Sequence, residues 1–233
     1  MSKFKKGDVV GRISYNKDVL FEISNIIKTK NTQIVVLKGI TERIEADSPI
    51  DDLELMDKRT VKDKIRIEDE KISNRIEKYL KNSNKFGNVL NFKENKRSIR
   101  ASENGIILHL DGDKRYSEKS VKYYKSLGLN AVVKNVPENR QPQVVRRLLD
   151  KYMPDVLIIT GHDGMIKKGT GYNDIYNYRN SRHFINTVNE ARRWDAQRKK
   201  LAIFAGACQS YYEAIIASGA NFASSPSRIM IDL

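Results

Sequence analysis

The feature that most constrains the fold is a short apolar run that ends in small residues and delivers the only cysteine. Residues 201–210 read LAIFAGACQS and contain Cys208. An unbroken apolar run bounded by small residues is typical of a strand buried on both faces of a parallel sheet. Residues 155–164, DVLIITGHDG, have the same design and deliver His162. Together the two stretches predict a cysteine nucleophile with a histidine partner.

The composition is that of a soluble globular protein with a sizeable core. The 233 residues fit a small module plus a main domain, and 39% hydrophobic against 31% charged residues give a mean hydropathy of -0.58. No apolar run approaches the roughly 18 residues of a membrane span, and no apolar signal region follows the basic start MSKFKKGDVVGRISY. We therefore expect a cytosol-like location and no membrane partner.

A single cysteine limits the possible chemistry. One thiol cannot form an internal disulfide or build a thiolate zinc site alone, and the three histidines show no metal-ligand spacing. Neither a metal nor another cofactor is therefore expected. Lys and Arg number 43 against 29 Asp and Glu, which gives a net charge of +14 and a pI near 9.7. This charge is compatible with a polyanionic partner and equally with a solvated lysine-rich surface.

The chain divides into three parts. Residues 1–57 contain Val-, Ile- and Phe-rich runs separated by turn residues, with a fourth extended piece near 41–46, and predict a small SH3-like β-barrel that serves as a docking module. Residues 58–100 predict a basic helical linker, in which an amphipathic helix is broken at 82–84 and at Gly87. A basic tract, 93–100, then reads as a solvated tether, with a nucleic-acid contact as the less favoured alternative.

Residues 101–233 alternate between strand and helix patterns. GIILHLDGD predicts a strand that ends in Asp111, and a helix follows with Ser117 as its N-cap. Further strands and helices follow, with a long helix at 181–200, a helix opening at Gln209 and a final strand near NFASSPS. The pattern predicts an α/β fold with a mainly parallel sheet covered by helices on both faces.

Three polar residues are expected at one edge of this sheet. Asp111, His162 and Cys208 each follow a buried strand, and functional groups gather at the carboxyl ends of parallel strands. A helix start after Cys208 would lower the pKa of the thiol. The backbone N–H of Cys208 and one from the loop of Asp163 and Gly164 are the candidate oxyanion donors. His162 would protonate the leaving amine.

Each residue has a plainer interpretation when taken alone. A cysteine in an apolar strand is usually a small buried hydrophobic residue, and a histidine after a strand is more often a turn residue. Their shared position beyond the buried runs favours a Cys/His pair. His109 lies inside its strand pattern and His183 starts a helix, so both are weaker candidates.

A strand ending in His followed by a strand ending in Ala-Cys resembles the caspase-like cysteine peptidases. Together with the barrel-like start, the basic linker, TGHDG and FAGACQS, the whole chain resembles the YabG-type sporulation-specific proteases of endospore-forming bacteria. The resemblance implies a caspase-like domain and cleavage of spore coat and cortex-lytic precursor proteins after basic residues, arginine above all. It also implies a location in the mother-cell cytoplasm and spore coat.

Two departures from the family pattern matter. Caspase-like enzymes usually carry Gly directly after the His, whereas this chain has Asp163 there, which makes Asp163 a candidate to orient His162. The family's chains also run beyond Leu233, so a C-terminally truncated or processed form is expected.

Substrate selection is predicted at the end of the first buried strand. In caspase-like folds this strand end helps to line the pocket for the residue before the scissile bond, and Asp111 and Asp113 stand there. A partly buried carboxylate selects a bidentate guanidinium, so Arg is expected over Lys, with Asp111 as the stronger candidate. Arg97 and Arg100 in the linker are candidate sites of self-cleavage.

Other functions remain compatible with parts of the pattern. A flavodoxin-like domain joined to a small barrel could bind nucleic acid, but GTGY in the 167–180 loop follows no strand and lacks phosphate-loop spacing. A metal hydrolase lacks ligand spacing. Glutaminases usually place Cys before His in the chain, which is the reverse of the order here.

Overall fold

The computed structural model describes residues 4–28, 33–90, 105–166, 171–198 and 200–224. Its first part is a five-stranded antiparallel sheet with strand order β4-β3-β2-β1-β5. The strands are β1 (Val9–Arg12), β2 (Phe21–Lys28), β3 (Gln33–Gly39), β4 (Glu45–Pro49) and β5 (Leu53–Leu55). The β-rich character predicted for this region is confirmed, and the SH3-like barrel stays a prediction.

The antiparallel sheet buries a core of its own. Its strands carry branched and aromatic side chains that suit a pleated, half-buried surface. The fully or nearly buried members include Val10, Phe21, Ile23, Val35, Leu37, Ile44 and Leu53. The fourth extended piece predicted near 41–46 is present but begins later than expected, because residues 40–44 form a loop that is closed by a hydrogen bond from the Gly39 N–H to the Ile44 carbonyl at 2.8 Å. The strand begins after that loop, at Glu45.

A long helix, α1 (Lys58–Leu90), follows the antiparallel sheet. The predicted breaks at 82–84 and Gly87 are wrong, because a single helical glycine costs only about 1 kcal/mol, too little to end a helix by itself. Lys119 forms an ion pair with Asp69 of α1 at 2.8 Å, which ties the helix to the second half of the chain.

The tract 93–100, with Arg97 and Arg100, lies outside the described residues. No helix in the described part of the chain could cross a membrane.

The second half is an α/β unit built on a five-stranded parallel sheet. Its strands are β6 (Ile107–Asp111), β7 (Ala131–Asn135), β8 (Val156–Thr160), β9 (Ala202–Ala205) and β10 (Phe222–Ala223), in the order β10-β9-β8-β6-β7. The helices are α2 (Lys114–Ser126), α3 (Gln141–Tyr152), α4 (Ser181–Asp195) and α5 (Tyr212–Ala217). This confirms the predicted α/β class with a helix-flanked parallel sheet, while the caspase-like detail stays a prediction.

The parallel sheet is held by one apolar cluster. Continuous apolar runs in β6, β8 and β9 put alternate residues on both faces, where helices cover them. The most buried members are Leu108, Leu110, Val145, Leu149, Leu157, Ile159, Phe184, Val188, Ile203 and Ile215. The pairings β6 with β8 and β8 with β9 place the three strands that precede Asp111, His162 and Cys208 side by side.

Several predicted helix ends differ from the structure. Ser117 is not the N-cap of α2: Asp113 is, because its carboxylate accepts the N–H groups of Arg115 and Tyr116. The helix predicted over YYEAIIASGA, residues 211–220, is observed at Tyr212–Ala217, so the helical pattern does not open at Gln209. The helix predicted at 181–200 ends at Asp195. Of the final strand, only Phe222–Ala223 lies among the described residues, and 225–233 lie outside them.

We expect Ile203→Ala to lower the free energy of unfolding by about 2–5 kcal/mol, because Ile203 is fully buried in β9 and its truncation leaves a cavity. Val121→Ala on the exposed face of α2 should change it by no more than about 0.5 kcal/mol. Urea denaturation followed by circular dichroism measures both. Equal effects of the two substitutions would contradict this account of the core.

Candidate active site

The candidate site lies at the carboxyl edge of the parallel sheet, where the chain order reverses between β6 and β8. Such a switch point is where open α/β sheets form crevices for ligands. Asp111 is the last residue of β6, while His162 and Cys208 lie in the loops that follow β8 and β9. The structure therefore brings all three predicted residues to one edge, as the strand pattern indicated.

Asp111 is a fully buried carboxylate with three donors around it. Its oxygens accept the Thr160 hydroxyl at 2.9 Å and the Asp113 N–H at 2.8 Å, and the Arg43 guanidinium lies 2.7 Å away. Burial acts to raise the pKa of Asp111, but Arg43 and the Asp113 N–H outweigh it and hold the pKa below its usual value. Asp111 therefore stays ionised in a setting that selects a cation.

Arg43 is the functional neighbour that the sequence did not indicate. It lies in the loop between β3 and β4, and its guanidinium sits 4.0 Å above the Tyr116 ring while it pairs with Asp111. Its side chain is only 18% exposed. Nothing in the residues around Arg43 distinguishes it from the other basic residues, because the contact depends on how the two sheets pack.

His162 is fully buried, and contacts surround its ring. Its backbone N–H donates to Glu138 at 2.8 Å, and its Nε2 lies 3.2 Å from the Gly39 carbonyl. Because a carbonyl only accepts, this contact places the proton on Nε2. Nδ1 lies 3.8 Å from the Asp113 carboxylate and has no hydrogen-bond partner among the described residues. Burial lowers the pKa of His162, so the imidazole is held neutral.

Cys208 is half-buried in the turn between β9 and α5. The expected low pKa from a helix start is wrong in this structure, because α5 begins only at Tyr212. Burial raises the pKa of the Cys208 thiol, although the N–H of Arg43 donates to the sulfur and the charge of Arg43 acts in the opposite direction. The thiol also packs against the core of the antiparallel sheet.

Asp163 links the loop after β8, which carries His162, to the turn after β9, which carries Cys208. Its fully buried carboxylate accepts the hydroxyls of Ser181 and Ser210 and the backbone N–H groups of Asn180 and Gly164. The Ser210 hydroxyl in turn accepts the N–H of Ala207 at 2.9 Å, next to Cys208. The carboxylate near the His162 ring is therefore that of Asp113, and Asp163 acts on the loops instead.

Glu138 is a second buried carboxylate that sequence analysis missed. It is 6% exposed and accepts the His162 N–H. Its side chain lies so close to Gly161 that any Cβ at that position would collide with it. The glycine in TGHDG therefore lets Glu138 fix the histidine loop.

The other two histidines have separate roles. His109 is hydrogen-bonded to Thr160 at 2.7 Å and to Tyr124 at 3.0 Å, and burial lowers its pKa to about 4. His183 lies in the first turn of α4. Among the described residues, no group of three or more His, Cys, Asp or Glu side chains could hold a metal ion.

A thiol, a neutral imidazole and a buried carboxylate at one sheet edge form a site suited to hydrolysis, and the protein class is that of the peptidases. The chain belongs to the YabG peptidase U57 family, whose model matches residues 5–233. It is 39% identical over 236 residues to the sporulation-specific protease YabG of Bacillus subtilis (strain 168), an alignment that covers 98% of this chain and 81% of that protein. The family resemblance is thereby confirmed, and the nucleic-acid-binding alternative is not favoured.

We expect Asp163→Asn to change how stability depends on pH. Burial raises the pKa of Asp163 to about 6, despite its hydrogen bonds, against an ordinary value near 3.9. Between about pH 4 and pH 6 the folded chain keeps a proton that the unfolded chain has released, so this group lowers stability as pH rises. The difference in melting temperature, variant minus wild type, should therefore be more positive at pH 7 than at pH 4.5.

The matched control is Asp51→Asn, at an exposed carboxylate of the antiparallel sheet region. If the Asp163→Asn difference changes with pH no more than the Asp51→Asn difference does, the proposed titration of Asp163 is wrong.

Proposed function

We propose that this protein is a cysteine endopeptidase that cleaves after arginine, with Cys208 as nucleophile and His162 as the acid–base partner. The observation that carries this proposal is the position of Arg43. Its guanidinium lies 2.7 Å from Asp111, and the next residue, Ile44, pairs with Asp163 in the loop that follows β8. An arginine residue can thus place its guanidinium at Asp111 while its backbone lies along the loop that carries His162, as an arginine before a scissile bond must.

The chemistry follows from the two side chains. His162 takes the thiol proton as the Cys208 sulfur attacks the carbonyl carbon of the substrate arginine, and a C–S bond forms while the carbonyl becomes an oxyanion. The imidazolium then gives a proton to the departing amine when the C–N bond breaks and the carbonyl re-forms as a thioester. Water then hydrolyses the thioester with the same imidazole as base, which returns the thiol and releases the new carboxylate.

Asp163 is the better candidate for the second oxyanion donor, beside the Cys208 N–H. The Gly164 N–H is already donated to the Asp163 carboxylate at 2.9 Å. Ile44 and Asp163 form a parallel bridge, and the Glu45 N–H donates to the Asp163 carbonyl at 2.9 Å. In this register the Asp163 N–H faces the Arg43 carbonyl, which supports its use as an oxyanion donor.

Preference for arginine rests on Asp111 and Tyr116. A guanidinium can pair with the carboxylate and lie flat on the ring, as Arg43 does at 4.0 Å, whereas an ammonium group offers a point charge without a planar face. Asp113 is less suited to the pocket, because it caps α2 and its carboxylate lies beside His162. We assign Asp113 to stabilisation of the imidazolium, because its carboxylate lies 3.8 Å from Nδ1, the nitrogen that takes up a proton.

The biological setting is proposed from the relative. The Bacillus subtilis protein is a sporulation-specific protease, and we propose that this chain also acts during sporulation. The proposed substrates are spore coat and cortex-lytic precursor proteins, cleaved in the mother-cell cytoplasm and the spore coat. We also propose self-cleavage at Arg97 or Arg100, and intact-mass analysis that shows an uncut chain beside active enzyme would contradict it.

Loss of either reacting group should abolish peptide cleavage. We expect Cys208→Ala to lower kcat/KM on a peptide with a single arginine by more than about 10³-fold, and His162→Ala to lower it by about 10²–10⁴-fold. His183→Ala is the matched control and should stay within about twofold of wild type. A Cys208→Ala variant that retains wild-type cleavage would exclude a cysteine mechanism.

Asp111→Asn should remove the preference for arginine. The neutral amide no longer compensates a buried guanidinium, so kcat/KM for the arginyl peptide should fall about 100-fold or more. The rate on the corresponding lysyl peptide should fall less, so that the two substrates become more equal. An unchanged ratio of arginyl to lysyl cleavage in a peptide library would show that Asp111 does not select the residue.

A further inference from the structure

We propose that the loop of residues 40–44 is a built-in inhibitor that occupies the candidate active site with Arg43 in place of a substrate arginine. The loop joins β3 to β4 and belongs to the antiparallel sheet, whereas the site belongs to the parallel sheet. The inference rests on the proposed function for the meaning of the pocket. It goes beyond that function because it makes the first sheet a regulator of the second.

The loop and the residue before it engage all three groups of the site at once. The Gly39 carbonyl lies 3.2 Å from His162 Nε2, the Arg43 guanidinium lies 2.7 Å from Asp111, and Cys208 packs against the core of the antiparallel sheet that carries the loop. With His162 fully buried, a substrate cannot reach the imidazole in this arrangement. Access requires that the loop leave.

The loop enters the site as an extended peptide would. Ile44 pairs with Asp163 in a parallel bridge, and the next residue donates its N–H to the Asp163 carbonyl at 2.9 Å. Pairing of a peptide backbone with an exposed strand end, combined with a side-chain pocket, is a common mode of peptide recognition. Arg43 fills the pocket that the register places next to that pairing.

The contacts also explain why the loop blocks the site without being cut. The His162 Nε2 proton is directed at the Gly39 carbonyl, so it is not available to a leaving amine. The thiol packs against the core of the antiparallel sheet, which limits its freedom to turn toward a carbonyl carbon. Hydrogen bonds from the Gly39 N–H to Ile44 and from the Ile40 N–H to Leu20, at 2.8 and 2.9 Å, hold the loop in this position.

The ion pair is built so that it can be displaced. Arg43 Nη1 is buried and has no hydrogen-bond partner among the described residues. A buried pair that leaves a donor unsatisfied recovers little of its desolvation cost. A substrate arginine with better placed backbone contacts can therefore compete for Asp111.

Two substitutions in the full chain test the inference. Both should speed alkylation of Cys208, but they should change the rate of arginyl cleavage in opposite directions. Arg43→Gln empties the pocket and should raise both the rate of Cys208 alkylation by iodoacetamide and kcat/KM on an arginyl peptide, each by about tenfold or more. Asp111→Asn releases the loop but damages the pocket. It should speed alkylation by a similar factor while it slows arginyl cleavage.

Two further variants control for stability and for general loosening. Arg115→Gln removes another ion pair to the antiparallel sheet, from α2 to Glu22 of β2 at 2.6 Å, and should change neither rate by more than about twofold. Arg43→Lys keeps a positive charge beside Asp111 and so protects the fold, and it should give intermediate rates. Melting temperatures establish that each variant is folded before rates are compared.

The outcomes separate this inference from the proposed function. Faster alkylation in Arg43→Gln and Asp111→Asn, without peptide cleavage in any variant, would support the occluding loop and reject the peptidase site. Arginyl cleavage by wild type with unchanged alkylation in both variants would reject the loop and retain the peptidase. A cut after Arg43 in wild type that Cys208→Ala lacks, seen by intact mass, would make Arg43 a substrate and overturn its role as inhibitor.

Discussion

The buried ion pair between Asp111 and Arg43 is the interaction on which the rest of the site depends. It joins two sheets that otherwise have separate cores, and it lies where His162 and Cys208 also contact the first sheet. An isolated buried charge costs several kcal/mol, so each partner requires the other or an equivalent replacement. The proposed preference for arginine would follow from this requirement for a cation beside Asp111.

The surrounding residues hold the two loops of the site in a fixed relation. Asp163 binds both the start of α4 and the turn that carries Cys208, through Ser181 and Ser210. Glu138 fixes the backbone of His162. Because these carboxylates bond to the loops themselves, the distance between imidazole and thiol is set by backbone geometry, and not by a direct contact of either carboxylate with a reacting ring or sulfur.

The sequence indicated the sheet edge because each of its residues follows a local pattern. An apolar run, a small residue and then a polar residue predict a buried strand and its functional end, which located Asp111, His162 and Cys208 correctly on neighbouring strands. The expected thiolate at a helix start failed because the helix opens later. Its start depends on the path of the turn after Cys208, which residue patterns do not specify.

What could not be predicted depends on packing between distant parts of the chain. Arg43 reaches Asp111 only because the loop of the first sheet lies against the second, and one arginine among many basic residues carries no local signal. The role of Asp163 was missed for the same reason, since its partners Asn180, Ser181 and Ser210 lie far along the chain. Long-range pairs of this kind require the fold before they can be identified.

The absence of a side chain at Gly164 determines how closely the two sheets can approach each other. A side chain at this position would collide with the carbonyl of Glu45, so the bare backbone allows the two sheets to approach each other. The loop of residues 40–44 can therefore lie against the candidate site partly because residue 164 has no side chain, although this residue carries neither charge nor reactive group. A methyl group at residue 164 would push the Glu45 backbone, and with it the antiparallel sheet, away from the loop after β8. Every side chain of the candidate site would remain chemically unchanged.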